Sequence, residues 1–254
     1  MSEDVQLAVQ GEVAFLQLAR PTRGNAMRPA TFDALRKASL RLSDAPPLFL
    51  VLTGEGPDFC VGLDVDSADG MEETFGPLVE NRDAYRVQEV VTLHRGVVEA
   101  FSRVPCPVIA AIEGRCFGAG LELALFADIR IASETATFAL PGVRAGLFTG
   151  LGGVPNLAAL IGASQATEIA LTGRTFTAEE ADHFGLVNRL CGEGAARATA
   201  LDMVAELKRH SPRARLQTLL TARAVRQKLT EGTQEQEIQC AARAWIAGDW
   251  RQRA

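Results

Sequence analysis

Residues 114–122 read Gly114-Arg115-Cys116-Phe117-Gly118-Ala119-Gly120-Leu121-Glu122, and the apolar stretch Leu121-Glu122-Leu123-Ala124-Leu125-Phe126-Ala127 overlaps their end. A glycine-rich turn that opens a helix leaves backbone N–H groups without intrahelical acceptors, and such groups can hold an anion or a developing oxyanion. Glu122 is the single charge in the apolar stretch. About one turn into the helix, its side chain can lean back over the helix N-terminus, which makes it a candidate acid or base. Desolvation would raise its pKa and the helix dipole would lower it. A glutamate that merely caps its own helix is the plainer alternative. The spacing Gly114-x-x-x-Gly118-x-Gly120 is not a dinucleotide fingerprint, and no P-loop lysine follows it.

The elements that must hold this turn can be read on either side of it. Pro107-Val108-Ile109-Ala110-Ala111-Ile112 is a buried strand leading in, and residues 129–132 form a further strand leading out. Eight of the 23 glycines fall in residues 111–155, so unusual dihedrals and close backbone approaches are concentrated there. Upstream, Val5, Leu7 and Val9, then Val13, Phe15 and Leu18 after Gly11, alternate as in a hairpin. Residues 48–52 are wholly apolar, as in a sheet covered on both faces. Helical periodicity runs over residues 31–38 and 85–104, the latter with Val87, Val90, Val91, Leu93, Val97, Val98 and Phe101 on its apolar face. His94 within it reads as a structural or surface histidine. Thr177-Ala178-Glu179-Glu180 is a capping box, and residues 195–254 read as helix with a break at Ser211-Pro212. Residues 58–83 carry eight carboxylates against Arg82 alone, which predicts a solvated loop; their spacing does not make an EF-hand.

Composition limits the classes of function. At 254 residues with 47% hydrophobic and 22% charged residues, the chain is long enough for one large core, or a core with an appendage. The five cysteines have no C-x-x-C pair and the three histidines no metal-like spacing, which argues against a disulfide framework and a metal site. The net charge of −5 disfavours nonspecific nucleic-acid binding. No apolar run reaches the ~18 residues of a membrane span, and the acidic start is unlike a signal peptide, so a cytoplasmic location without membrane attachment is expected. The charge is unevenly distributed: residues 1–200 hold 16 basic and 25 acidic side chains, residues 201–254 hold 10 and 6.

Several motifs follow one another in order: Pro21-Thr22-Arg23-Gly24-Asn25-Ala26-Met27, Val51-Leu52-Thr53-Gly54 with Phe59-Cys60-Val61-Gly62-Leu63-Asp64, Pro107 to Gly114, Ala127-Asp128-Ile129-Arg130-Ile131-Ala132, and Leu171-Thr172-Gly173-Arg174 with Gly185-Leu186-Val187-Asn188. Together they resemble the enoyl-CoA hydratase/isomerase, or crotonase, family. The resemblance implies an α/β fold, a crotonase-like spiral of ββα units. It implies an acyl-CoA-binding core over residues 1–195 and a helical region over 196–254 used for trimerisation, in a homotrimer or a dimer of trimers. It also implies an acyl-CoA thioester as ligand, with no cofactor beyond the CoA moiety. By motif position, the backbone N–H groups of Leu63 and Ala119 form an oxyanion hole for the thioester enolate, and Glu122 is the acid/base. Arg23, Ala26, Asp64, Val65 and Asp66 match substrate-contacting positions with Gly118, and Leu147 and Phe148 would shape the acyl pocket. The family's hydratases use a second glutamate, and its position is Gly142 here. The resemblance therefore leaves three readings open: a lyase or isomerase relying on Glu122, a catalytically impaired acyl-CoA-binding homologue, and a family decarboxylase or thioesterase.

Overall fold

The alternating N-terminal segments pair as an antiparallel hairpin, β1 (Val5–Gln10) with β2 (Val13–Leu18). The computed structural model describes residues 4–65, 67 and 69–251, so Asp66 lies outside the described residues. The other strands are β3 (Phe49–Gly54), β4 (Val108–Ile112), β5 (Arg115–Phe117), β6 (Ile129–Ser133), β7 (Thr137–Ala139), β8 (Thr175–Thr177) and β9 (Arg189–Cys191). One sheet has the order β1-β2-β3-β4-β6-β9 and is parallel from β2 onward; a smaller one has the order β5-β7-β8.

Strand periodicity explains the apolar runs. Phe49, Val51, Ile109, Ala111 and Ile131 face one side of the large sheet, where Ala196, Ala200 and Val204 cover them. Their neighbours Leu50, Leu52, Val108, Ala110 and Ile112 face the other side and join the main core. Successive side chains are thus buried on opposite faces, and a strand covered on both has no room for polar alternation.

The helices are α1 (Pro29–Asp44), α2 (Met71–Glu80), α3 (Ala84–Glu99), α4 (Ala119–Leu125), α5 (Gly153–Ile161), α6 (Ala163–Thr172), α7 (Ala178–His183), α8 (Ala196–Lys208), α9 (Pro212–Thr230) and α10 (Gln234–Ala247). The capping box at Thr177 and Glu180 opens α7. Ser211 caps α9 through the Ala214 N–H, and Pro212 takes its first position, which accounts for the break there. Each C-terminal helix packs on the body: α8 on the large sheet, α9 on α5, and α10 on α2 and α3.

Two expectations need correction. The acidic segment contains α2, and several of its carboxylates are engaged by arginines remote in sequence. Asp58 pairs with Arg115 at 2.6 Å, Asp69 with Arg28, and Glu72 with Arg251 at 2.6 Å. Local composition omits these counter-charges, so the stretch looked like a solvated loop. Leu93, assigned to the apolar face of α3, is 58% exposed, because the face in contact with α1, α2 and α10 is narrower than the apolar stripe.

Candidate active site

The glycine-rich turn passes from β5 to α4 through Gly118, at φ +49° and ψ −122°. A side chain rarely adopts this conformation, so glycine is required by the backbone alone. Gly62, at φ +109°, lies alongside: a β-carbon there would stand 3.3 Å from the Phe117 carbonyl oxygen and 3.7 Å from the Ala119 nitrogen. Met27 N–H donates to the Gly62 carbonyl, and Asp64 N–H donates to the Met27 carbonyl. Strand alternation then turns the Leu63 N–H away from Met27. Among the described residues, the N–H groups of Leu63 and Ala119 have no acceptor.

Beside this pair lies a cavity of about 650 Å³ whose walls include Leu63, Val65, Gly118, Ala119, Glu122, Gly142, Leu147 and Phe148. The structure thus brings these sequence-predicted residues together around one space. Arg144, Thr149, Trp245 and Asp249 join them, none of which had been singled out as a site residue. Arg23, Ala26 and Asp64 do not line it. Half-exposed Arg23 donates to Asp64 Oδ1 at 3.3 Å, and the Ala26 carbonyl accepts from Arg20 Nη1 at 2.6 Å. Asp64 also pairs with Arg20 at 3.0 Å and accepts the Ser67 N–H. Burial pushes the Asp64 carboxyl up, but the hydrogen bonds from Ser67 and Arg20 and the Arg20 charge outweigh it and hold its pKa below the usual value. Asp128 is likewise structural, holding Arg223 and the Val108 N–H.

Glu122 is 5% exposed. Its carboxylate does not cap α4. Oε2 instead accepts the N–H groups of Leu151, at 2.8 Å, and Gly153, at 3.0 Å, where α5 begins. Gly152, at φ +102°, turns the chain into α5, and Gly153 makes room: its β-carbon would fall 2.7 Å from Thr149 Cγ2 and 3.1 Å from Glu122 Cγ. Burial drives the Glu122 pKa upward, and the charge of nearby Glu237 adds to this. The two N–H bonds and Arg95 pull it back, and the outcome is about 8. Burial and Glu237 thus favour the protonated form of Glu122.

Glu237 was not anticipated. It is buried on α10, where its Oε1 accepts from Thr149 Oγ1 at 2.7 Å and its Oε2 from Arg95 Nη1. The signal was available in the helical spacing, since Glu237, Ala241 and Trp245 follow at intervals of four on the buried face. Among the described residues no cluster of three or more His, Cys, Asp or Glu is placed to hold a metal ion. Among them, too, no helix is long and apolar enough to cross a membrane.

A family model for enoyl-CoA hydratase/isomerase matches residues 8–244. The chain belongs to the enoyl-CoA hydratase/isomerase family. Mevalonyl-coenzyme A hydratase sidH of Aspergillus fumigatus is 31% identical over 221 residues, which are 84% of this chain and 78% of that protein. Carnitinyl-CoA dehydratase of Salmonella typhi is 33% identical over 217 residues, 84% of this chain and 77% of that one. An enoyl-CoA hydratase/isomerase structure from Mycobacterium paratuberculosis matches with a TM-score of 0.86 at 25% identity, covering 99% of this chain and 97% of that one. A Thermobifida fusca YX protein described as an enoyl-CoA hydratase, solved with acetoacetyl-CoA, matches at 0.76 and 32% identity over 97% of this chain and 96% of that one. These likenesses establish the crotonase-type α/β fold for this enoyl-CoA hydratase/isomerase family member.

Proposed function

We propose that the protein binds an acyl-CoA thioester with its carbonyl oxygen between the N–H groups of Leu63 and Ala119, and that Glu122 moves a proton at the acyl α-carbon. The observation that carries this reading is the buried Glu122 in the wall of the same cavity as two adjacent backbone N–H groups without acceptors. Removing or adding an α-proton places negative charge on the thioester oxygen. Two fixed N–H donors in a low-dielectric pocket stabilise that charge without reorganising. A protonated Glu122 can deliver the proton and, once ionised, take one back.

The relatives named above are a hydratase and a dehydratase of CoA esters, which supports water addition or elimination as the reaction class. Alanine at position 119 does not weaken the reading, because the donor is main chain. The decisive variant is Glu122→Gln, which keeps the side-chain volume and removes the acid. Turnover of a panel of enoyl-, dienoyl- and malonyl-CoA esters, followed by mass spectrometry, is expected to fall about 10²- to 10⁴-fold, with CoA-ester binding by calorimetry preserved. Unchanged turnover would remove Glu122 from the mechanism. Gly142 favours a second reading, a binding protein without chemistry; tight binding with no conversion of any ester would select it.

A further inference from the structure

Position 142 offers no side chain, yet a second buried carboxylate stands near Glu122 from a distant part of the chain. Glu237 is 4% exposed, and Arg95 holds one of its oxygens. The other accepts the Thr149 hydroxyl at 2.7 Å. Glu237 does not line the cavity, but Thr149 does, with Glu122. Thr149 and Glu122 flank the same point, the missing β-carbon of Gly153. With its proton directed at Glu237, the Thr149 oxygen presents only lone pairs elsewhere, so it can accept a hydrogen bond from water or a substrate hydroxyl.

We propose that the Thr149 hydroxyl links the buried Glu237 to the cavity that Glu122 lines, so that the chain carries two-group hydration chemistry without a side chain at position 142. The proposal rests on the reading of Glu122 as the α-carbon acid. In the hydration direction the step starts with the proton on Glu122 and with Glu237 ionised beside Arg95. A water held by Thr149 Oγ1 attacks the β-carbon of a 2-enoyl thioester. As its O–H bond breaks, that proton passes to Thr149 Oγ1, and the threonine proton passes to Glu237 Oε1. The C=C electron pair moves to the α-carbon, which takes the Glu122 proton as that O–H bond breaks. The product is a 3-hydroxyacyl thioester, with Glu237 protonated and Glu122 ionised. Return of the proton to Glu122 resets the pair, and dehydration is the reverse. Arg95 from α3 is the charged group that faces this pair, while Arg144 from the turn after β7 and Asp249 after α10 line the cavity.

The test has two arms on the full-length protein. Carboxyl-carbon NMR titration of 13C-glutamate-labelled protein, assigned with Glu122→Gln and Glu237→Gln, reads the pair without substrate. Glu237→Gln is expected to lower the Glu122 midpoint, and an unmoved midpoint shows that the two carboxylates do not act together and overturns the pairing. The second arm needs no change of charge. Thr149→Val is expected to slow hydration of crotonyl-CoA and a medium-chain 2-enoyl-CoA about 10²-fold, whereas Thr149→Ser retains most of it. Exchange of the α-hydrogens of butyryl-CoA in deuterium oxide, which reads ionised Glu122 without attack by water, is expected to fall less than hydration in Thr149→Val. Equal loss in both threonine variants, no loss in either, or no hydration by the wild type overturns the relay. If Glu237→Gln does not fold, because Arg95 is left unpaired in the interior, the threonine pair decides. Absence of exchange in the wild type, or exchange unaffected by Glu122→Gln, removes the underlying reading of Glu122 instead.

Discussion

Asp64 and Glu122 occupy matching places, each shortly after a backbone N–H assigned to the thioester oxygen, and they are 3% and 5% exposed. Their proton affinities nevertheless move in opposite directions. Burial raises both. Asp64 is answered by Arg20, Arg23 and Ser67, which favour its charged form. Glu122 receives two neutral N–H bonds and the repulsion of Glu237. At similar exposure one carboxylate is thus a structural anchor and the other a candidate proton carrier, and depth of burial together with the partners decides which.

The largest expected effect of breaking this contrast is at Glu122. Its folded pKa of about 8 lies above the ordinary glutamate value. The stability it carries is complete below about pH 4.3 and is lost as pH rises through about 8, because the unfolded chain ionises first. Urea unfolding of the wild type should therefore show declining stability across that window, and Glu122→Gln should flatten the decline. An unaltered slope in the variant would mean that another group titrates there.

Asp64 should behave in the opposite sense and more weakly. Its folded pKa is depressed, so its contribution is present above about pH 3.9 and is lost as pH falls through the folded value. Asp64→Asn removes the 3.0 Å ion pair of Arg20, whose side chain is 13% exposed, and leaves it the longer 4.0 Å pair with Asp4. A loss of about 1–3 kcal/mol at neutral pH is expected, converging with the wild type in acid, while the Glu122 titration stays in place. A variant as stable as the wild type at neutral pH would show that the arginines find other partners.

Much of this arrangement was legible in the chain because it is local. The hairpin, the two-face strands, the α7 and α9 caps and the glycine turn each follow from neighbouring residues. Glu122 stood out as one charge in an apolar helix. What escaped notice depends on contacts between remote segments. The partners of the acidic stretch come from Arg20, Arg28, Arg115 and Arg251, and the Leu151 and Gly153 N–H groups that hold Glu122 come from the chain entering the next helix and not from its own. Arg95 and Glu237 were visible in another form. Each sits on the buried stripe of its helix, after Val87 and Val91 in α3 and before Ala241 and Trp245 in α10. Two opposite charges on stripes of different helices are a reason to expect that those helices meet.

The smallest expected effect concerns Gly142, and it sharpens the contrast because position 142 is where the sequence resemblance leads one to expect a second glutamate. Gly142 does not have a positive φ, so an L-residue fits its backbone conformation. Its β-carbon would stand 3.2 Å from the Leu147 carbonyl oxygen, a tight contact that a displacement of a few tenths of an ångström relieves. Gly142→Ala should therefore cost less than about 1 kcal/mol in urea unfolding. If Glu237 is the partner that raises Glu122, adding a methyl group at position 142 leaves the Glu122 midpoint near 8 in the same carboxyl-carbon titration. A midpoint displaced as far as by Glu237→Gln would assign the control of Glu122 to the packing around position 142, and the contrast with Asp64 would then be one of cavity shape rather than of charged partners.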